Sequence, residues 1–127
     1  MLEYNITLYS INGDIIEQFV CNEVITVYSN YPQSMLYVKG YVLPSDPDGY
    51  QIIAETNLPY ISESYSHENK FKGCNSKYHI QLFAANGKIV KEFDCVESAS
   101  MYSLYFYLTD GKVIATSLFY LKKEIKK

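Results

Sequence analysis

Three residues in and just after one polar stretch carry the side chains best suited to chemistry: His67, Cys74 and His79, with Glu63 and Glu68 nearby. Imidazole, thiolate and carboxylate are ligand types for zinc, and a thiol beside an imidazole is the pair that makes a cysteine nucleophile. The spacing fits no standard structural zinc pattern, and no local signature of a Cys–His hydrolase surrounds Cys74. Two histidines with no recognisable triad or carboxylate dyad leave little for general acid–base work. No metal or cofactor is therefore expected. A small hydrolase built on His67, His79 and Cys74 stands as the alternative to a chain without catalysis.

The glycines are all accounted for by turns and strands. Gly13, Gly49, Gly87 and Gly111 close hairpins, Gly40 lies within a strand and Gly73 in a polar connection, so none is left for a phosphate-cradling loop. All eleven basic residues are lysine and the isoelectric point is near 5.3. Without arginine the planar fork that grips phosphates and guanine edges is missing, which argues against nucleic acid as a partner. A small nucleotide-like ligand could still be sequestered by aromatic stacking, with Lys88, Lys91 and Lys112, beside the hairpins, neutralising phosphate.

Fourteen tyrosines are the most suggestive feature of the composition. Tyr28, Tyr31, Tyr37 and Tyr41 cluster in the first half, and Tyr102, Tyr105, Phe106 and Tyr107 in the second. Along residues 104–108 both strand faces are apolar or aromatic, so this strand either is buried on both sides or presents rings to a partner. Tyrosine gives a large contact area at low entropic cost, which makes Tyr28, Tyr31, Tyr37, Tyr41, Tyr102, Tyr105 and Tyr107 the candidate recognition surface.

The elements that must position these residues are written twice. Residues 4–29 recur as 78–103 at a constant offset of 74, with eleven identities, among them Asn12/Asn86, Gly13/Gly87, Cys21/Cys95 and Glu23/Glu97. Leu2, Tyr4, Ile6 and Leu8 alternate with polar residues, the period of a strand with one buried face. Asn12-Gly13 then suits a type I′ turn, although a three-residue loop with a glycine bulge would shift the partners and swap the buried face. Further strands are expected over 15–20, 23–29, 34–43 and 50–61, with Pro59 confining that end to an edge or a break. The second copy repeats the plan to residue 121, its third strand (residues 97–100) weak in β character and its tail (122–127) frayed or a helical turn. Matched ends follow with gaps: Leu36-Tyr37 with Leu104-Tyr105, Ile53-Ala54 with Ile114-Ala115, Tyr60 with Tyr120.

These readings predict an all-β protein of two tandem antiparallel β-meander repeats, packed sandwich-like about a pseudo-twofold axis. Repeat 1 spans 1–61, a polar linker 62–76 and repeat 2 77–127. Residues 1–61 carry seven acids and one base, whereas residues 77–127 carry eight lysines and five acids. Opposite halves should attract, within one chain or between chains. Met1 leads directly into a strand, no apolar run approaches a membrane span, and three cysteines are an odd number suited to free thiols. A cytoplasmic protein is expected.

One copy, with its Asn-Gly hairpin, the Tyr28-Ser29-Asn30 stretch and a closing Asp-Gly hairpin (Asp48-Gly49, Asp110-Gly111), resembles the small β-meander proteins carried by bacteriophages and mobile elements of AT-rich hosts. The arginine-free composition, rich in Lys, Asn, Ile and Tyr, fits the same source. The resemblance implies a viral accessory protein in the host cytosol that counters a defence system by binding a protein or a signalling nucleotide. Protein binding or self-association into an oligomer is thus the leading expectation, and nucleotide sequestration the alternative.

Overall fold

The first hairpin turn is set by one glycine. Gly13 has φ of +85°, and none of the described non-glycine residues has positive φ, so the type I′ turn, which needs positive φ at Asn12 as well, does not form. Instead Gly13 N donates to Ser10 O (3.0 Å) and Ser10 N to Asp14 O (2.8 Å), a type I turn followed by a left-handed glycine. Ser10 Oγ accepts from the amides of Asn12 and Asp14 and holds the turn from inside. The second copy builds the same loop, with Gly87 at +88°, Gly87 N to Ala84 O and Ala84 N to Lys88 O.

The computed structural model describes residues 3–21, 23–27, 35–41, 50–56, 58–66, 70–100 and 104–125; for residues 23–27, 35–41, 50–55 and 100 it describes the strand path and pairing alone. Twelve strands are found among them, and no helix: β1 Tyr4–Tyr9, β2 Ile15–Cys21, β3 Glu23–Val27, β4 Met35–Tyr41, β5 Tyr50–Thr56, β6 Tyr60–Tyr65, β7 Tyr78–Phe83, β8 Ile89–Cys95, β9 Glu97–Ser100, β10 Leu104–Tyr107, β11 Lys112–Thr116 and β12 Phe119–Glu124. All pair antiparallel. A six-stranded sheet runs β2-β1-β6-β11-β10-β9, and two three-stranded sheets run β12-β7-β8 and β3-β4-β5. The protein is all-β.

The duplicated hairpins agree residue for residue. β1 and β2 pair from Tyr4↔Cys21 to Tyr9↔Ile15 with a bulge between Leu8 and Tyr9. β7 and β8 pair from Tyr78↔Cys95 to Phe83↔Ile89 with the bulge between Leu82 and Phe83. The last strands match too, since Leu8 faces Tyr60 and Leu82 faces Tyr120. One alignment is corrected by register: Val38 pairs with Ala54 and Phe106 with Ile114, so Ala54 is the counterpart of Ile114 rather than of Ala115. The bulge between Val38 and Lys39 absorbs the residue that made the other match look right.

Neither copy is one continuous meander. The β1-β2 hairpin and the β3-β4-β5 run belong to different sheets, as do β7-β8 and β9-β10-β11. Ser62 to Tyr65, read from sequence as the start of the linker, continue β6 instead. Their polar side chains mislead, because β6 lies inside the large sheet with β1 on one side and β11 on the other. The chain breaks at Pro59 and resumes as a separate strand. Residues 122–124, expected to fray or coil, extend β12 along β7, and residues 97–100 form β9 despite their poor propensity, because β10 supplies the ladder.

Pairing β6 with β11 makes the large sheet from both copies. Its β6-β11-β10 part packs on the β12-β7-β8 sheet through a core of Tyr9, Ile61, Ile80, Leu82, Cys95, Phe106, Ile114 and Leu118. Phe106, Ile80 and Leu82 are fully buried, each worth about 1.5–3 kcal/mol relative to exposure. A second cluster of Ile6, Leu8, Cys21 and Tyr60 lies on the other side, with β4 against β2. Leu8 and Tyr9, adjacent in sequence, serve different clusters because successive side chains of a strand point to opposite faces.

Candidate functional site

His79 stands on the solvent face of β7, opposite Asp94 of β8. Its Nδ1 lies 2.7 Å from Asp94 Oδ1 and its Nε2 3.0 Å from Glu92 Oε2. Both nitrogens are taken by carboxylates, so the imidazolium donates at each end and both of its nitrogens are already engaged. The hydrogen bond to Asp94 first, and that to Glu92 next, hold the His79 pKa above its ordinary value against slight desolvation. Cys74 is exposed, in the connection before β7. His67 and Glu68 lie outside the described residues. Among the described residues no group of three or more His, Cys, Asp or Glu is placed to hold a metal ion; the hydrogen bonds on His79 occupy the atoms a metal would need.

The three candidate lysines reach into the other half of the chain. Lys91 Nζ of β8 lies 2.6 Å from Glu63 Oε1, and Lys112 Nζ of β11 3.4 Å from Glu63 Oε2. Lys88 Nζ lies 3.8 Å from Asp14 Oδ1, turn against turn. Burial acts to raise the Glu63 pKa, but the hydrogen bond and charge of Lys91, followed by those of Lys112, outweigh it and hold the carboxyl low. Desolvation likewise works against the Lys112 ammonium, and Glu63 overcomes it, leaving that pKa raised. Lysines of the second copy are thus fastened inside one chain to β6 through Glu63, which lies outside both charge-counted segments, and to the first hairpin through the exposed Asp14. Sequence reading named Glu63 only as a ligand type near the histidines and missed its ion pairs, because it sat in the supposed linker; its position two residues after the β-favouring run Tyr60-Ile61 was the available signal.

The tyrosines divide by register. Tyr28, Tyr31 and Tyr102 lie outside the described residues, and Tyr37 and Tyr41 are placed on β4 by backbone pairing alone. On β10 the alternation is resolved: Leu104 and Phe106 face the core, and Tyr105 and Tyr107 share the opposite, half-buried face, level with Ala115 and Val113 of β11 and with Ala99 and Glu97 of β9. The strand is therefore buried on one side and presents rings on the other. Burial first, then the neighbouring phenols of Tyr60, Tyr107 and Tyr4, keeps the Tyr105 hydroxyl above its usual range, so it stays protonated and able both to donate and to accept.

Beside Tyr107 the sheet face opens into a groove of about 320 Å³. Phe71 comes over from the 70–73 turn to form its wall, with its ring centroid 5.9 Å from that of Tyr107. Ala99 and Val113 make the floor, while Lys70 and Glu97 stand at the rim with opposite charges. The arrangement is an apolar slot with polar edges on a rigid sheet, and it offers shape and hydrogen bonding rather than a reactive group.

One exposed feature was not foreseen. Phe119, Tyr120 and Leu121 of β12 are 72%, 47% and 41% exposed. Among the described residues, no helix is long and apolar enough to cross a membrane. No family model matches the chain, and no curated protein and no solved structure matches it either.

Proposed function

We propose that the chain is a non-catalytic binding module, an accessory protein of a bacteriophage or mobile element that engages and inhibits a host defence protein in the host cytosol. The observation that supports this reading is the partly buried pair Tyr105 and Tyr107 on one sheet face, of which Tyr107 lines the groove with Phe71, Ala99 and Val113. Rigid aromatic side chains around an apolar slot with a charged rim are the composition of an interface centre. A nucleotide reading would need phosphate to displace Glu63 from Lys91 and Lys112, an exchange that the short Lys91–Glu63 bond opposes.

Affinity capture from the native host's lysate, with the wild type and a Tyr105→Ala/Tyr107→Ala variant side by side, tests the reading. The expected result is a host protein retained by the wild type in stoichiometric amount and lost with the variant, while the variant keeps its β-sheet circular dichroism. Each tyrosine at the centre of such an interface is worth about 2 kcal/mol, roughly thirtyfold in affinity. Equal retention by both proteins, or none by either, defeats the proposal.

A further inference from the structure

The two copies allow a residue to be compared with its own counterpart, and β12 fails the comparison. Tyr60 and Ile61 of β6 are 0% and 1% exposed, whereas their counterparts Tyr120 and Leu121 of β12 are 47% and 41% exposed. The sequences are equally apolar. What differs is the neighbour: β6 lies between β1 and β11, while among the described residues β12 has β7 on one side and no strand on the other.

The strand that covers β6 has its own counterpart. β11 corresponds to β5, and the ends of the two are built alike, with Leu118 N donating to Thr116 Oγ1 and Leu58 N to Thr56 Oγ1, each at 3.0 Å. Among the described residues β5 is the last strand of its sheet, bonded to β4 alone, so it too has one open edge. Its free end is also held close to the start of β12. Three residues separate Thr56 from Tyr60, and Tyr60 is clasped to the β11–β12 corner, Tyr60 N to Ser117 Oγ at 3.1 Å and Ser117 N to Tyr60 O at 3.3 Å.

We propose that the outer edge of β12 is a strand-docking site whose occupant is β5 of the same chain. The β6–β11 pairing supplies the register. Ile61↔Thr116, Ser62↔Ala115 and Glu63↔Ile114, carried to the counterparts, set Thr56 opposite Leu121, Glu55 opposite Lys122 and Ala54 opposite Lys123. The register brings an acid opposite a lysine, a favourable cross-strand pair, whereas two β12 edges from different chains would bring lysines together. Docking completes a second six-stranded sheet, β8-β7-β12-β5-β4-β3, the counterpart of the first. It also closes two open edges and covers the side chains of Tyr120 and Leu121, the hazard that an unpaired apolar edge presents. A short tether favours the same chain over a second copy, because it holds the two edges at high effective concentration. The site is separate from the tyrosine groove, and either reading can fail without the other.

Cysteine cross-linking decides it. In a Cys74→Ser background, Glu55→Cys with Lys122→Cys places two thiols on directly opposed residues, within disulfide reach; Gln51→Cys with Lys122→Cys is the off-register control. Mild oxidation is expected to remove both new thiols from the first protein, at the mass of a single chain, and to leave the control reduced. Cross-linking no better than the control, or a product of twice the chain mass from β5 of a second copy, overturns the proposal. Amide hydrogen exchange on the wild type gives the second reading. Every alternate amide of β12 that points away from β7 should be protected, and rapid exchange at all of them overturns the proposal without recourse to any variant.

Discussion

Asn86 Nδ2 donates to the carbonyl oxygen of Asn12 at 3.3 Å, and the two residues hold the same place in the two hairpins. The loops meet tip to tip, but the meeting is lopsided. A β-carbon on Gly13 would come within 3.2 Å of Ala84 Cβ and Lys88 Cδ, while one on Gly87 would meet nothing within 4 Å. Both glycines are left-handed, which costs another residue roughly 1–2 kcal/mol. Gly87→Ala should therefore lose about that much stability, and Gly13→Ala about 1 kcal/mol more through overpacking against Ala84. Urea unfolding of the two variants checks this; equal losses would show that the loops do not press on each other.

Glu63 bridges Lys91 and Lys112 with only 26% of its side chain exposed. Glu63→Gln should cost about 1–2 kcal/mol, between a surface pair and a buried charge-assisted bond. Its folded pKa is depressed, so the stabilisation is fully present above the unfolded value of about 4.5 and is lost as pH falls through the lower folded value. The difference in stability between wild type and Glu63→Gln should accordingly shrink between pH 5 and pH 3.

His79 works in the opposite sense. Its folded pKa is raised above 6.5 by Asp94 and then Glu92, so its contribution is complete below the unfolded value and fades as pH rises through the folded one. The melting temperature of the wild type should fall relative to His79→Gln on going from pH 5.5 to pH 8.5. With 40% of the ring exposed the effect is small and should weaken further in 0.5 M salt. A pH-independent difference would show that the carboxylates do not hold the ring in solution.

The three thiols should react as one and two. Cys74 is exposed, whereas Cys21 and Cys95 are buried at matching places. Burial, opposed by Lys122 and aided by Asp94, pushes the Cys95 thiol up to about 11, leaving roughly a thousandth of it as thiolate at pH 8. An aromatic disulfide reagent should modify one thiol quickly in the native protein and the others only on unfolding. Two fast thiols would place one of the buried pair at the surface.

Much of the fold was legible wherever the decisive information is local. Alternation around Asn12-Gly13 and Asn86-Gly87 located both hairpins, and the constant offset of 74 predicted their common path. Turn type was not legible, because Asn before Gly suits either loop and the choice is seen only in the backbone of Asn12. β6 was half missed for a different reason: Ser62-Glu63-Ser64 has no strand character of its own, and it is the neighbours 55 or so residues away that make it a central strand. For the candidate site, the lysines beside the hairpins and the rings of β10 were readable as residue types. That Lys91 and Lys112 meet at Glu63, and that Tyr105 and Tyr107 turn outward while Phe106 turns in, depends on register, which composition does not encode.

The seam between β6 and β11 also sets an order of assembly. As the chain leaves the ribosome, β1 and β2 can zip at once across their short turn, and β6 can join β1 some fifty residues later. Ile61, however, waits for Thr116. Until nearly all of the protein has been made, the inner strand of its largest sheet is an outer one, with Ile61 uncovered. Such late, long-range closure makes folding slow and the nascent chain prone to pairing with its neighbours. Newly synthesised copies are therefore most vulnerable to aggregation in the interval before β11 emerges, however stable the finished molecule becomes.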